Sequence, residues 1–226
     1  MNRKSSLFDR VCSSVIVGVV REETAEDGLA VARTYARHGL DVIEITFTTP
    51  AAESIIRTLR EESDGRITIA AGSLRNGNDA AAARRAGAEI LVSPHTDLRV
   101  IEYGTENQLL VIAGAATPTE IIQAWERGAD LIKVYPAAHL GGPDYIRTIR
   151  QPIRDVPLLA GGPVPLELIE AYLEAGVLAV NLGGSLAVPD LVRQKKWDAI
   201  GKRVEQAIAT VRSLRSELPM ADSMVH

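Results

Sequence analysis

At 226 residues, with 46% hydrophobic and 24% charged side chains, the chain has the composition of a soluble globular protein, long enough for one large α/β domain or two small ones. A net charge of −4 with no basic run excludes a nucleic-acid surface, and no stretch approaches the roughly 20 consecutive apolar residues of a membrane span. The single cysteine, Cys12, excludes an intrachain disulfide framework or a multi-thiolate metal site and fits a cytoplasmic setting. Arg3 and Lys4 precede the apolar run Val11 to Val20, loosely like a secretory leader. Asp9 and Arg10 interrupt that layout, and the run reads better as the first strand of the fold.

After a short helix around Ser5 to Cys12, the chain settles into a beat of roughly 22 residues, each a β-branched run followed by an Ala-, Leu- and Glu-rich amphipathic segment. The runs are Val15–Val20, Val42–Thr46, Ile67–Ala71, Ile90–Ser93, Leu109–Ile112, Leu131–Val134, Leu158–Ala160 and Ala179–Leu182. The helices expected between them are Ala25–His38, Ala51–Glu62, Asp79–Ala86, Leu98–Tyr103, Glu120–Arg127, Tyr145–Ile149, Leu166–Ala175 and Asp190–Ser213, with a flexible tail from about 213 to 226. Thr24, Asn78, Asp97 and Thr119 stand where N-caps belong. Gly39, Gly87, Gly128 and Gly176 stand where left-handed C-caps belong. Strands apolar nearly throughout suit a parallel sheet covered by helices. Eight βα units then predict a single (β/α)8 TIM barrel over 1–226 with a short N-terminal helix. An open doubly wound sheet would usually carry a Gly-x-Gly-x-x-Gly turn after its first strand, which Val19-Val20-Arg21-Glu22-Glu23 does not offer.

Barrel chemistry sits at the C-terminal ends of the strands, so the polar residues there are the candidates. Leu131-Ile132-Lys133-Val134-Tyr135-Pro136 is a buried-strand pattern holding one lysine. An ammonium without water is costly, and an apolar site is one way proteins make a neutral amine nucleophile. The plainer alternative is an ion-paired or snorkelling lysine on an edge strand. Glu44 is the second anomaly: alternation places Val42, Glu44 and Thr46 on one face, Ile43 and Ile45 on the other. An inward carboxylate near an inward lysine is either a buried ion pair or an acid/base partner. Gly161-Gly162 and Gly183-Gly184-Ser185 follow the seventh and eighth strands, where backbone N–H groups of barrels bind phosphate. Two tight turns would also explain those glycines. The other polar residues at or just beyond strand ends are Arg21, Thr46, Thr48, Thr49, Ser73, Ser93 and His95.

These stretches together resemble the bacterial 2-keto-3-deoxy-6-phosphogluconate (KDPG) and 4-hydroxy-2-oxoglutarate (KHG) aldolases. The matching segments are Ile43-Glu44-Ile45-Thr46, Ala71-Gly72-Ser73, Ser93-Pro94-His95, Ala116-Thr117-Pro118-Thr119-Glu120, Ile132-Lys133-Val134-Tyr135-Pro136-Ala137, Gly141-Gly142-Pro143, Gly161-Gly162 and Gly183-Gly184-Ser185. The resemblance implies a class I aldolase that cleaves a phosphorylated 2-keto-3-deoxy sugar acid to pyruvate and glyceraldehyde 3-phosphate, or 4-hydroxy-2-oxoglutarate to pyruvate and glyoxylate. It implies a homotrimer with no metal and no organic cofactor. It gives Lys133 the Schiff-base role and Glu44 the acid/base role. Gly161, Gly162, Gly183, Gly184 and Ser185 fall on the phosphate loops, and Ser73 on a pyruvyl-carboxylate contact.

The chain also departs from the pattern. Many members carry an arginine where Thr48 stands; others resemble this chain and have an arginine after the first strand, which makes Arg21 the candidate carboxylate clamp, and Arg75 is a second candidate without a family counterpart. Ala113 and Ala160 stand where proline and threonine are usual. Three rivals follow: the phosphogalactonate counterpart, a phosphosugar isomerase needing no imine, and a barrel that binds phosphate ligands without aldolase activity. His38, His95, His139 and His226 show no metal-ligand spacing.

Overall fold

Eight parallel strands close on themselves in chain order, β1-β2-β3-β4-β5-β6-β7-β8 and back to β1, in a computed structural model that describes residues 3–217. The strands are β1 (Ile16–Val20), β2 (Val42–Thr46), β3 (Thr68–Gly72), β4 (Ile90–Val92), β5 (Leu110–Ala115), β6 (Leu131–Val134), β7 (Leu158–Ala160) and β8 (Ala179–Leu182). The helices are α1 (Arg3–Ser14), α2 (Ala25–Arg37), α3 (Ala52–Ser63), α4 (Gly77–Ala86), α5 (Leu98–Glu106), α6 (Pro118–Glu126), α7 (Gly142–Arg150), α8 (Ile169–Glu174), α9 (Pro189–Arg193) and α10 (Trp197–Glu217). The expected (β/α)8 barrel with a leading helix is therefore the observed architecture.

Alternation along the strands sorts side chains into two cores. Val17, Val42, Ala70, Ile90, Val92, Leu110, Ile112, Leu131, Leu159 and Ala179 fill the barrel interior, joined by Leu7 and Val11 of α1. The other face of each strand packs under the helices, with Ile43, Ile45, Ile132, Val134, Val180 and Leu182 in the larger outer core. Helix α1 thus plugs the end opposite the strand C-termini, and apolar burial there of about 1.5–3 kcal/mol per large aliphatic side chain leaves the other end as the open one. Arg215 of α10 donates to the Cys12 and Ser13 carbonyls and ties the last helix to this plug.

The joints differ from the sequence reading in a few places. Asn76, not Asn78, caps α4, accepting from the Asp79 N–H. Thr117, not Thr119, caps α6: Pro118 takes the first helical position, and Thr117 and Glu120 form a reciprocal capping box. The glycines behave as expected, with φ of +93° at Gly39, +103° at Gly87, +95° at Gly128 and +101° at Gly176. The segment 190–213 is two helices, broken at Lys195 (φ +49°), and 166–175 starts as a 3₁₀ turn (Leu166–Leu168) before α8. Of the expected tail, 213–217 continue α10, and 218–226 lie outside the described residues.

Candidate active site

Toward the open end of the barrel, strand alternation turns Glu44, Lys133 and Asn181 inward and brings them together. Glu44 on β2 is 0% exposed, Lys133 on β6 is 6% exposed and Asn181 on β8 is 2% exposed. Lys133 Nζ lies 3.6 Å from Glu44 Oε2, and Asn181 Nδ2 donates to that same oxygen at 2.9 Å. The Lys133 nitrogen also sits 5.6 Å from the centroid of the Tyr135 ring. A lone buried charge would be strongly disfavoured; here an amine and a carboxylate share one buried compartment and can exchange a proton directly or through one water. The edge-strand alternative for Lys133 is excluded, because a closed barrel has no edge.

Two glycines make the room. A Cβ on Gly161 would lie 2.6 Å from Lys133 Cε and 2.7 Å from its Cγ, so the missing side chain after β7 is the channel for the lysine stem. A Cβ on Gly72 would lie 2.0 Å from Glu44 Oε1, so the end of β3 accommodates the carboxylate. A third, Gly114, lets the Pro94-His95 backbone cross the end of β5; its Cβ would sit 2.2 Å from the Pro94 carbonyl carbon. There Ser93 donates to the His95 carbonyl at 2.7 Å and Thr96 to the Gly114 carbonyl at 2.9 Å.

The candidate carboxylate contacts lie on the same rim. Arg21, one residue beyond β1, donates from Nη2 to Ser73 Oγ at 3.1 Å. Ser73 has φ +60°, an unusual backbone for a residue with a Cβ and one that clusters at ligand sites. Thr48 is exposed and its hydroxyl lies 3.0 Å from that of Thr46, which in turn donates to the Val20 carbonyl at 3.0 Å. Thr48, Ser73 and Arg21 therefore share the β1–β2–β3 sector of the mouth. Arg75 is exposed and its backbone N–H donates to Asp79; no side-chain contact among the described residues draws it to this sector.

The glycine loops after β7 and β8 divide the expected phosphate role. The Gly161 N–H donates to the Val134 carbonyl at 2.9 Å, and its carbonyl accepts from Ala137 at 2.8 Å. Gly162 (φ +110°) turns the chain beyond it. After β8, the Gly183 carbonyl accepts from Leu186 and Ala187 at 2.8 and 2.9 Å, one helical turn whose leading N–H groups, at Gly184 and Ser185, make no intrachain bond among the described residues. Ser185 Oγ is buried without a partner. Arg203 of α10 donates from Nε and Nη2 to the Ser185 carbonyl at 2.9 and 2.7 Å, pinning the loop from behind and adding positive charge to it.

Three contributors escaped the sequence reading: Asn181, Gly72 and Arg203. Asn181 was within reach, since a polar residue in Ala179-Val180-Asn181-Leu182 breaks an apolar run as Glu44 does. Gly72 and Arg203 act through close approach and a contact between residues 18 apart, which no pattern reports. Among the described residues no cluster of three or more His, Cys, Asp or Glu side chains could hold a metal.

Comparison with known proteins identifies the family. Residues 8–203 match the family model described as "Aldolase: KDPG and KHG aldolase". The chain is 29% identical to a Haemophilus influenzae 2-dehydro-3-deoxy-phosphogluconate aldolase, over 91% of this chain and 97% of that protein. It is 26% identical to an Escherichia coli 2-dehydro-3-deoxy-6-phosphogalactonate aldolase, over 88% of this chain and 94% of that one. Among solved structures, a Legionella pneumophila KDPG aldolase captured with pyruvate as a covalent carbinolamine superposes with a TM-score of 0.80 at 23% identity, covering 88% of this chain and 96% of that one. On the strength of a family match across most of its length, the chain belongs to the KDPG and KHG aldolase family.

Proposed function

We propose that the protein is a class I aldolase that cleaves a 2-keto-3-deoxy-6-phospho sugar acid into pyruvate and glyceraldehyde 3-phosphate. The observation that carries this reading is the buried Lys133 amine 3.6 Å from the Glu44 carboxylate, at the strand ends of a barrel whose family members are named for this reaction.

Glu44 is near enough to take the proton that keeps Lys133 from acting as a nucleophile. The neutral amine adds to the 2-keto carbonyl, Glu44 returns its proton to the carbinol oxygen, and that oxygen leaves as water, giving an iminium on the lysine nitrogen and an ionised Glu44. Glu44 then removes the proton from the hydroxyl on carbon four. The bond between carbons three and four breaks, its electron pair flows into the iminium, and the aldehyde leaves. The enamine takes a proton back from Glu44, and water releases pyruvate. Arg21, with Ser73 and Thr48 beside it, grips the substrate carboxylate and orients the keto group. The free N–H groups of Gly184 and Ser185, with Gly162 opposite, take the phosphate, and Ala160 leaves that loop without the hydroxyl usual in the family.

The stereochemistry at carbon four is a separate matter. Relatives named for the gluconate and for the galactonate substrate both match this chain, and comparing cleavage of the two epimers decides between them. Assembly as a homotrimer and a cytoplasmic location belong to the same proposal, along with activity toward 4-hydroxy-2-oxoglutarate.

The test is borohydride reduction in the presence of pyruvate. The expected result is a stable adduct on Lys133, with Lys133→Met abolishing both the adduct and turnover. A wild-type protein that turns over without being trapped would favour a barrel isomerase, and one that binds phosphate but does neither would favour a binding protein.

A further inference from the structure

The Glu44 carboxylate is held from two sides, and only one of them was expected. Its Oε1 lies over Gly72, where a Cβ would come within 2.0 Å. Its Oε2 faces Lys133 and accepts from Asn181 at 2.9 Å. Glu44 is fully buried, and Oε1 has no hydrogen-bond partner among the described residues. Among the described residues the amide of Asn181 is therefore the sole neutral donor holding this carboxylate. Its far end, Oδ1, is also buried without a partner, so no second contact dictates which way the amide points. Turned over, it would set oxygen against oxygen, so the donor-inward orientation is the one the carboxylate selects.

We infer that Asn181 is a positioning residue for the acid/base step, its side-chain N–H fixing the Glu44 carboxylate between the lysine nitrogen and the substrate carbons. This rests on the aldolase reading given above. The physical reason is that a glutamate can rotate about its last bond in a broad, roughly two-fold well. A carboxylate that must first take a proton from the hydroxyl oxygen on carbon four and then give one to carbon three needs a defined direction at both moments. Gly72 supplies space without direction. The Lys133 contact cannot supply it throughout, because forming the iminium leaves its nitrogen with a single N–H, fixed in the plane of the new C=N bond and no longer free to follow the carboxylate. Asn181 stays in place throughout, and its bond to an ionised oxygen is of the stronger, charge-assisted kind. Asn181 also sits in register opposite Val17 on β1, within a strand of four buried residues, so it cannot swing away.

The inference separates two steps that a merely structural asparagine would affect together. Asn181→Val keeps a side chain suited to a strand and removes the donor; Asn181→Asp keeps the shape and opposes one carboxylate with another. For each, two quantities are read on folded protein: the extent of borohydride-trapped pyruvate on Lys133, and the rate at which pyruvate methyl hydrogens exchange with deuterium in D2O. Exchange is a rate and needs Glu44 to carry a proton to and from carbon on every turn; the extent of trapping is an end point that slower imine formation still reaches. The expected result is trapping within about threefold of wild type and exchange slowed on the order of 10²-fold in both variants, the loss that follows from a misplaced reacting group. Exchange at the wild-type rate in either variant would overturn the inference, as would equal losses of exchange and trapping. If Asn181→Val does not fold, the isosteric Asn181→Asp decides alone. A wild-type protein that exchanges nothing and traps nothing would instead remove the aldolase reading itself.

Discussion

Gly161→Ala should disable the enzyme without unfolding it. The new Cβ would stand 2.6 Å from Lys133 Cε, 2.7 Å from Cγ and 3.1 Å from Cδ, whereas carbon atoms in contact settle at about 3.5–4.0 Å. The shortfall requires the lysine stem to move by about 1 Å. It is pressed near its middle, so the whole chain of methylenes shifts and the nitrogen goes with it. Gly161 is not among the positive-φ glycines, so alanine brings no backbone strain, and the bonds to Val134 and Ala137 survive. A displacement of that size at a reacting atom costs on the order of 10²-fold in rate. The assay is steady-state cleavage of the phosphorylated keto acid beside the rate of borohydride trapping, with a thermal melt as the check on folding. Gly77→Ala is the control, since its Cβ would meet nothing closer than 3.7 Å. Cleavage and trapping within threefold of wild type in a folded Gly161→Ala protein would refute the account of this glycine as the lysine channel.

Gly72→Ala should act on the other partner: its Cβ would fall 2.0 Å from Glu44 Oε1, so proton exchange should fall on the order of 10²-fold while trapping on Lys133 persists. Arg203→Ala frees the Ser185 carbonyl from two charged donors. The KM for a phosphorylated substrate should rise on the order of tenfold with little change in trapping by pyruvate, which has no phosphate; equal effects on both would exclude a role in the anion loop. Glu22 supplies a pH test. Burial first, then the charges of Asp27 and Glu23, push its carboxyl up from 4.5 to about 7. Between those values the folded protein holds a proton that the unfolded chain has lost, so this group's contribution falls as pH rises through the window. Glu22→Gln should therefore gain in Tm relative to wild type from pH 5 to pH 8, and a constant difference across that range would refute the assignment.

The barrel was legible because its signals are local. Eight short apolar runs at an even beat, divided by helices ending in glycine, leave few ways to bury one face of every element. The C-cap glycines needed only the left-handed backbone that other residues resist. The N-caps of α4 and α6 were misread because two candidate residues stood within three positions of each other, and the choice falls to where the backbone leaves the helix. The single helix expected over 190–213 split at Lys195, whose φ of +49° carries no signature in a lysine.

The same division runs through the site. Lys133 and Glu44 announced themselves as charged residues inside apolar strands, and period-two alternation pointed both inward, because a strand has only two faces. What the one-dimensional pattern could not hold is distance. That the amine stops 3.6 Å from the acid, that Asn181 completes the group from β8, and that Gly161 leaves room for the lysine stem all depend on barrel closure. Closure brings residues from strands two, six and eight across a shared interior, and sequence records the order of those strands but not the gap between their side chains.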